Sequence, residues 1–431
     1  MTRVSNPEAL GMSGQEETGH VTAKSSLWKE NELGMVLFAL LCAGAALAGF
    51  LECLTHTRRL LAIPIRVHVN GTRGKSTTTR LIAAGLRAGG RRVIAKTTGT
   101  APRLILEDGS EQPIRRRGPG RGNIAEQMKI AAVAAKRGAD ALVLECMALE
   151  PENQWVSEHR MVRSTIGVIT NVRDDHLDVM GPRPRDVARA LSLTIPRTGR
   201  LVTAENAFLD ILEERAHELG TSVYVVDGST VPDDVNGAFP YVSFKENVAC
   251  ALKVCELAGV PRDVALSGML AARGDPGVMR ILKIARASGP YILVNAFAAN
   301  DYTSTSLIWK TVVESGVLRD SYTRLPVAVV MNNRADRIPR IRELSQLVVQ
   351  EIRPDRVFLI GEAGKIAKAQ LARNGVPADR VVDITSLHEP GAVLDEIESM
   401  VPGGAVLCAM GNTKGIGQRF AEFFERDGET L

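Results

Sequence analysis

Aromatic side chains are scarce in this 431-residue chain, 4% of the total, and no basic run is interleaved with them. Base-stacking platforms need both features, so nucleic acid is excluded as a partner. A formal net charge of +4 is likewise too small to hold a phosphate backbone. The six cysteines, Cys42, Cys53, Cys146, Cys250, Cys255 and Cys408, form no Cys-x-x-Cys pair and no zinc-type spacing. They lie in apolar contexts and read as small hydrophobes in a reducing compartment. No internal repeat is visible. What is present is an ordinary globular composition, 45% apolar and 24% charged, in a chain long enough for two or three domains.

Residues 1–32 are polar without periodicity and read as a flexible tail. From Leu33 to Leu51 no charge occurs, and the segment 33–54 is expected to cross the roughly 30 Å hydrocarbon layer as a single helix. Its length and isolation argue against a buried core helix, and the polar residues ahead of it argue against a secretory signal. Arg58, Arg59 and Arg66 follow closely. The positive-inside bias therefore places the bulk of the chain in the cytoplasm, at the cell membrane.

Beyond the apolar segment, short β-branched runs alternate with helical periodicity. The runs at 65–69, 92–96, 141–145, 164–171, 200–204 and 222–226 read as strands, and 76–88, 124–137 and 184–193 as helices. A second series of strands follows at 291–297, 326–332, 356–361 and 404–411. Such alternation predicts an α/β fold with mostly parallel, doubly wound sheets. Breakers at 274–290 divide it into a domain over 60–285 and another over 286–431.

The stretch "NGTRGKSTTTR" (70–80) joins a strand to a helix. The long glycine-rich phosphate loop would need glycine where Val69 stands, yet the context suits phosphate. A helix N-terminus offers unpaired N–H groups, and Gly71 and Gly74 allow close approach. Lys75 is the candidate for neutralising the β- and γ-phosphates, and Ser76 for holding Mg²⁺. Thr72 and Thr77 complete the loop. Glu145 ends one strand and His176 follows another, in "NVRDDHLD" (171–178). Ligands of open α/β sheets gather beyond the carboxyl ends of strands, so Ser76, Glu145 and His176 form a candidate metal set, and Lys75, Glu145 and His176 a candidate catalytic set.

"NGTRGKST", "ECMA" and "NVRDDHLDVMG" together resemble the Mur ligase superfamily of ATP-dependent amide ligases, whose phosphate loop is short in the same way. "FKENVACAL" (244–252) is similar to that superfamily's adenine-side segment and points to Asn247. "DPGVMRIL" (275–282) resembles its linker, with Arg280 as a phosphate contact. "KTTGTAPR" (96–103), "GNIAEQ" (122–127), "FAAND" and "NNRADR" (332–337) bring the chain closer to the ligase subunit family of poly-γ-glutamate synthases, over roughly residues 60–430.

The resemblance implies a P-loop ATP-binding domain and a C-terminal Rossmann-like ligase domain. ATP with Mg²⁺ would convert a carboxylate to an acyl phosphate, which a glutamate amine attacks. Thr98, Thr100, Asn123, Asn300 and Arg337 are its candidate substrate contacts. The partners it implies are glutamate, the poly-γ-glutamate chain, the membrane and small membrane subunits of a synthase, with room for a homo-oligomer. Two features depart from the superfamily. The segment ahead of the first strand is too short for a domain that binds uridine diphosphate, and no lysine between Lys136 and Lys245 can play the carbamylated role. A folylpolyglutamate-type ligase and a P-loop ATPase driving a membrane complex remain open alternatives. "IRRRGPGR" (114–121) reads equally as a patch for a polyanionic product or as a solvated loop.

Overall fold

The computed structural model describes residues 17–99, 102–116, 123–239, 241, 243–274, 280–299, 301–314, 322 and 324–431. The chain divides into two units after Leu61. The first is a single helix, α1 (Glu17–Leu61), so residues 17–32 are helical where the sequence suggested an irregular tail. The most apolar 18 residues of Gly34–Leu61 have a mean hydropathy of 2.3, and Met35, Leu37, Phe38, Leu41, Leu47 and Phe50 are all exposed. At 1.5 Å per residue Gly34–Leu61 spans about 42 Å, long and apolar enough to cross a bilayer.

The second unit, Ala62–Leu431, holds two sheets. The first is built from β1 (Ile65–Asn70), α2 (Lys75–Ala88), β2 (Val93–Thr97), β3 (Arg103–Ile105), β4 (Glu111–Pro113), α3 (Glu126–Lys136) and β5 (Ala141–Glu145). It continues with α4 (Pro151–Val156), β6 (Ile166–Ile169), α5 (Leu177–Met180), α6 (Pro184–Ser192), β7 (Arg200–Thr203), α7 (Leu209–Glu218) and β8 (Ser222–Val225). Strand order is β4-β3-β2-β5-β1-β6-β7-β8, parallel from β2 to β8. All five residues of β5 are buried, because helices cover both faces of the central strands. Leu81, Ile82 and Leu86 of α2 join this core, with α8 (Asp233–Gly237), α9 (Lys245–Leu257) and α10 (Arg262–Leu270) completing the layer.

The antiparallel edge hairpin β3–β4 was not anticipated. Its turn is Asp108-Gly109, with Gly109 at φ 83° and the Ser110 N–H bonded to Asp108 Oδ1 at 2.8 Å.

The second sheet runs through β9 (Ile281–Arg286), β10 (Gly289–Asn295), α11 (Tyr302–Glu314), β11 (Val327–Asn333), α12 (Ile338–Leu347), β12 (Arg356–Gly361) and α13 (Gly364–Arg373). It closes with β13 (Val381–Asp383), α14 (Pro390–Met400), β14 (Ala405–Gly411), α15 (Ile416–Asp427) and β15 (Glu429–Thr430). Its order is β13-β12-β11-β14-β10-β9-β15. Since β9 pairs with β10, this sheet begins at Ile281, and the 285/286 junction expected from the sequence falls inside β9. In each sheet two neighbouring strands send the chain in opposite directions, β5 and β1 in the first, β11 and β14 in the second. Crevices open at such points beyond the carboxyl ends of the strands.

Candidate active site

β1 ends at Asn70, whose amide donates to Gln154 Oε1 at 2.9 Å and Thr194 Oγ1 at 3.1 Å. The chain then turns sharply. Gly71 has φ 127° and Gly74 φ 82°, and a Cβ at either would collide, with Thr170 Oγ1 and Asn247 Oδ1 respectively. Val69 is a fully buried residue of β1, so the loop is short because the strand occupies the position where longer loops carry glycine.

Hydrogen bonds stitch the loop to the segment after β6. The Thr72 N–H donates to Asn171 O at 3.0 Å, and the Arg73 N–H to Asn171 Oδ1 at 3.1 Å. Thr170 Oγ1 donates to Arg73 O at 2.6 Å, while Thr72 Oγ1 accepts the Arg173 N–H at 2.9 Å. The first helical bond of α2 is Thr78 N–H to Gly74 O, which leaves the N–H groups of Lys75, Ser76 and Thr77 available to an anion.

Lys75 turns back into this loop, its Nζ donating to Gly71 O at 2.7 Å and Thr72 O at 3.1 Å. Burial lowers its proton affinity, opposed by the charges of Glu145 and Asp175. Ser76 Oγ donates to Glu145 Oε2 at 2.8 Å, and the Thr98 N–H donates to the same oxygen at 2.6 Å. Ser76, Glu145 and Lys75 are thus brought together as expected.

His176 is not brought to that pair. It caps α5 at φ 47°, with Nε2 3.8 Å from Asp175 Oδ1, and makes no hydrogen bond or ion pair with Ser76 or Glu145. Among the described residues no three His, Cys, Asp or Glu side chains are grouped closely enough to hold a metal. The donors that do meet, a hydroxyl and a carboxylate, are hard oxygens of the kind Mg²⁺ takes while keeping several waters.

Asn247, in the first turn of α9, packs against Gly74 and lines a 440 Å³ cleft between the two sheets. Gly74, Thr77 and Asn171 line it from one side, Asn295, Ser304 and Ile308 from the other. Arg280 lies elsewhere, 3.9 Å from Glu425 on α15 and not among the lining residues. Asn123 caps the approach to α3, its Oδ1 accepting the Ala125 N–H at 2.9 Å. Arg337 is half exposed at the start of α12, 4.0 Å from Asp336. Thr100, Asn300 and residues 117–121 of the basic loop lie outside the described residues.

Three charged groups at the site were not singled out from the sequence. Arg73 reaches from the phosphate loop to the second sheet, pairing with Asp301 Oδ2 at 2.7 Å and Asp175 Oδ2 at 3.2 Å, and donating to Ser304 Oγ at 3.3 Å. Burial alone would raise the Asp301 carboxyl, but Arg73 and the Ser304 N–H outweigh it and hold it below the usual range. Arg340 donates to Asn412 Oδ1 at 2.8 Å. Burial and then the neighbouring Arg337 and Arg73 lower its proton affinity. Asn412 is locked in turn to Asn332 across the switch point, the Asn412 N–H donating to Asn332 O at 3.0 Å and Asn332 Nδ2 to Asn412 O. Lys96, fully buried at the end of β2, pairs with Glu126 Oε2 at 3.2 Å, and Glu126 also takes the Arg116 guanidinium. Sequence periodicity marks none of these, although Lys96 opens the "KTTGTAPR" motif.

Within β1, His68 Nδ1 lies 2.8 Å from Glu158 Oε2 with both side chains buried. Burial pushes the imidazole down, but Cys146 and Glu158 outweigh it and raise its pKa to about 10.

Two family models match the chain: the Mur ligase middle domain over residues 69–220 and the poly-gamma-glutamate synthase CapB C-terminal domain over 281–427. PGA synthase CapB of Bacillus subtilis (strain 168) is 38% identical over 350 residues, covering 81% of this chain and 88% of its own. Capsule biosynthesis protein CapB of Bacillus anthracis is 41% identical over 330 residues, 76% of this chain and 70% of its own. Among solved structures, the bifunctional folylpolyglutamate synthase/dihydrofolate synthase from Yersinia pestis CO92 superposes with a TM-score of 0.61 at 16% identity, over 86% of this chain and 92% of that one. A folylpolyglutamate synthase of Mycobacterium tuberculosis gives 0.61 at 16%, over 87% and 96%. At that identity the structural neighbours share the fold alone.

Proposed function

Because this chain belongs to the poly-gamma-glutamate synthase CapB family of Mur-type ligases, we propose that it joins glutamate units through γ-amide bonds at the expense of ATP. The observation that carries this reading is a 440 Å³ cleft walled by Gly74 and Thr77 of the phosphate loop and α2 on one side and by Asn295 of the second sheet and Ser304 and Ile308 of α11 on the other, with Arg73 of the loop paired to Asp301. A bare nucleotide switch has no use for that second wall.

A carboxylate is a poor electrophile until an oxygen is made a leaving group. The chain-end γ-carboxylate would attack the γ-phosphorus of ATP, releasing ADP and giving an acyl phosphate. The glutamate amine then adds to the acyl carbon, phosphate departs, and the amine gives up its proton. The N–H groups at the start of α2 would hold the β- and γ-phosphates, with Lys75 moving off Gly71 O and Thr72 O to meet them. Ser76 and Glu145 are assigned to Mg²⁺, which when bound neutralises charge on the transferring phosphoryl group. His176 is assigned to orienting Asp175. Asn247 and Thr77 would meet the nucleoside side of the cleft. Arg337 and Arg340 are guanidiniums positioned for an anionic substrate group, and the Arg73–Asp301 pair holds the two walls together to exclude water.

The apolar helix α1 would anchor the enzyme at the membrane with its catalytic unit in the cytoplasm, beside small membrane subunits of the synthase. Membranes supplied with ATP, Mg²⁺ and labelled glutamate should form γ-linked polymer with the wild-type chain and none with Lys75→Ala. Equal polymer from both would refute the site; nucleotide turnover indifferent to glutamate would refute the ligase.

A further inference from the structure

Between α12 and α13 runs a groove of 280 Å³, floored by Ile338, Ile341 and Ile366 and rimmed by Arg342, Lys365 and Arg373. Ile366 is 48% exposed, a bare aliphatic surface among cations. Among the described residues none of the three rim side chains has a hydrogen bond or an ion pair, and no carboxylate lines the groove. None of the acids close by in sequence reaches the rim cations. Burial and the charge of Asp301 hold the Glu343 carboxyl above the usual carboxylate range, Asp336 pairs with Arg334, and Glu362 accepts the Ala335 N–H. A cluster of like charges left without counter-charge favours an anionic occupant.

The groove also has a direction. Both helices begin at the carboxyl ends of their strands, β11 and β12, the edge that carries Arg337 and Arg340. Ile338 directly follows Arg337, so one end of the groove lies beside Arg337 and Arg340, the guanidiniums assigned above to an anionic substrate group, and the other end leads away from them.

We propose that this groove binds the growing γ-linked polyglutamate chain, an inference that rests on the ligase reading above. Such a chain bears a free carboxylate on every residue and two methylenes in its backbone between each Cα and the next amide. An apolar floor beneath a cationic rim matches that alternation, with methylenes on the isoleucines and carboxylates on Arg342, Lys365 and Arg373. An α-linked acidic peptide has no backbone methylenes and carries its carboxylates on flexible side chains, so it fits the floor and rim less well. Held there, the product stays near the site between additions.

The test uses the full-length protein in detergent and fluorescence anisotropy with labelled γ-linked oligoglutamate, its α-linked counterpart and free glutamate as competitor. Arg342→Gln/Lys365→Gln/Arg373→Gln should weaken binding of the γ-linked chain by about tenfold or more and flatten its salt dependence. Ile366→Asp should weaken it as well. The triple variant should keep its KM for ATP and for glutamate on a short acceptor while making shorter polymer. Affinity within about twofold of wild type in the triple variant would overturn the proposal. So would α-linked peptide binding as tightly as the γ-linked chain, which would assign the groove to an acidic protein partner. Wild-type protein that ligates no glutamate would sink the ligase reading, whereas the anisotropy scores the groove independently.

Discussion

Asp301→Asn tests whether the two walls of the cleft act together. In the native chain Arg73 Nη2 lies 2.7 Å and Nε 3.2 Å from Asp301 Oδ2, and the two side chains are only 26% and 15% exposed. A unit-charge pair near 4 Å between charge centres in such surroundings is worth about 4 kcal/mol. The amide still accepts one hydrogen bond, and Arg73 keeps Asp175 at 3.2 Å and Ser304 Oγ at 3.3 Å. Roughly half of the interaction is therefore lost, about 2 kcal/mol, or about 30-fold in kcat/KM. Glutamate-dependent ADP release is the assay. The loss should fall on kcat, with KM for ATP changed by less than about threefold, because the phosphate loop keeps its bonds to Thr170 and Asn171. The double variant Arg73→Gln/Asp301→Asn should be no worse than the worse single change, since both remove one contact. A kcat/KM within about twofold of wild type, or losses that simply add, would refute the coupling.

Lys75→Ala should cost about 100-fold or more in kcat, measured as glutamate-dependent ADP release, while circular dichroism stays unchanged. Glu145→Gln should raise the Mg²⁺ concentration for half-maximal activity by about tenfold or more; a Mg²⁺ titration that superposes on wild type would remove Glu145 from the metal. Arg340→Gln should raise KM for the anionic substrate by about tenfold with KM for ATP little changed, since the charge-assisted bond it supplies is lost. For His68 the folded value is raised from 6.5 to about 10, so its stabilisation is complete below pH 6.5 and disappears as pH rises through about 10. Urea denaturation across that window should show declining stability in wild type and a flatter profile in His68→Gln.

The strands were legible because buried parallel strands are continuous β-branched runs, as in "ALVLE" and "IRVHV". The phosphate loop was legible because glycines, lysine and serine stand between such a run and a helical period. The hairpin at 103–113 escaped notice although Asp108-Gly109 is a strong turn signal, because its strands are only three residues long and largely unburied. Arg73 and Arg340 were missed for a different reason. Their partners lie 228 and 72 positions away: Asp301 reaches Arg73 only when one sheet closes on the other, and Asn412 reaches Arg340 only because β11 and β14 are neighbours in the second sheet. His176 illustrates the reverse: it sits at the right end of the right strand, but its left-handed backbone turns the ring toward Asp175.

Val69 also constrains what could be built from this chain. It occupies β1 with no exposed surface, paired with Glu145 on one side and Val168 on the other. Writing glycine there to restore the longer nucleotide motif would not lengthen the loop; it would hollow the middle of a sheet and loosen the strand against which Glu145 is paired. The two loop designs are therefore not neighbours in sequence space joined by one substitution. An engineer wishing to alter nucleotide preference has room in the cleft wall around Asn247 and Ala207, and none in the turn itself.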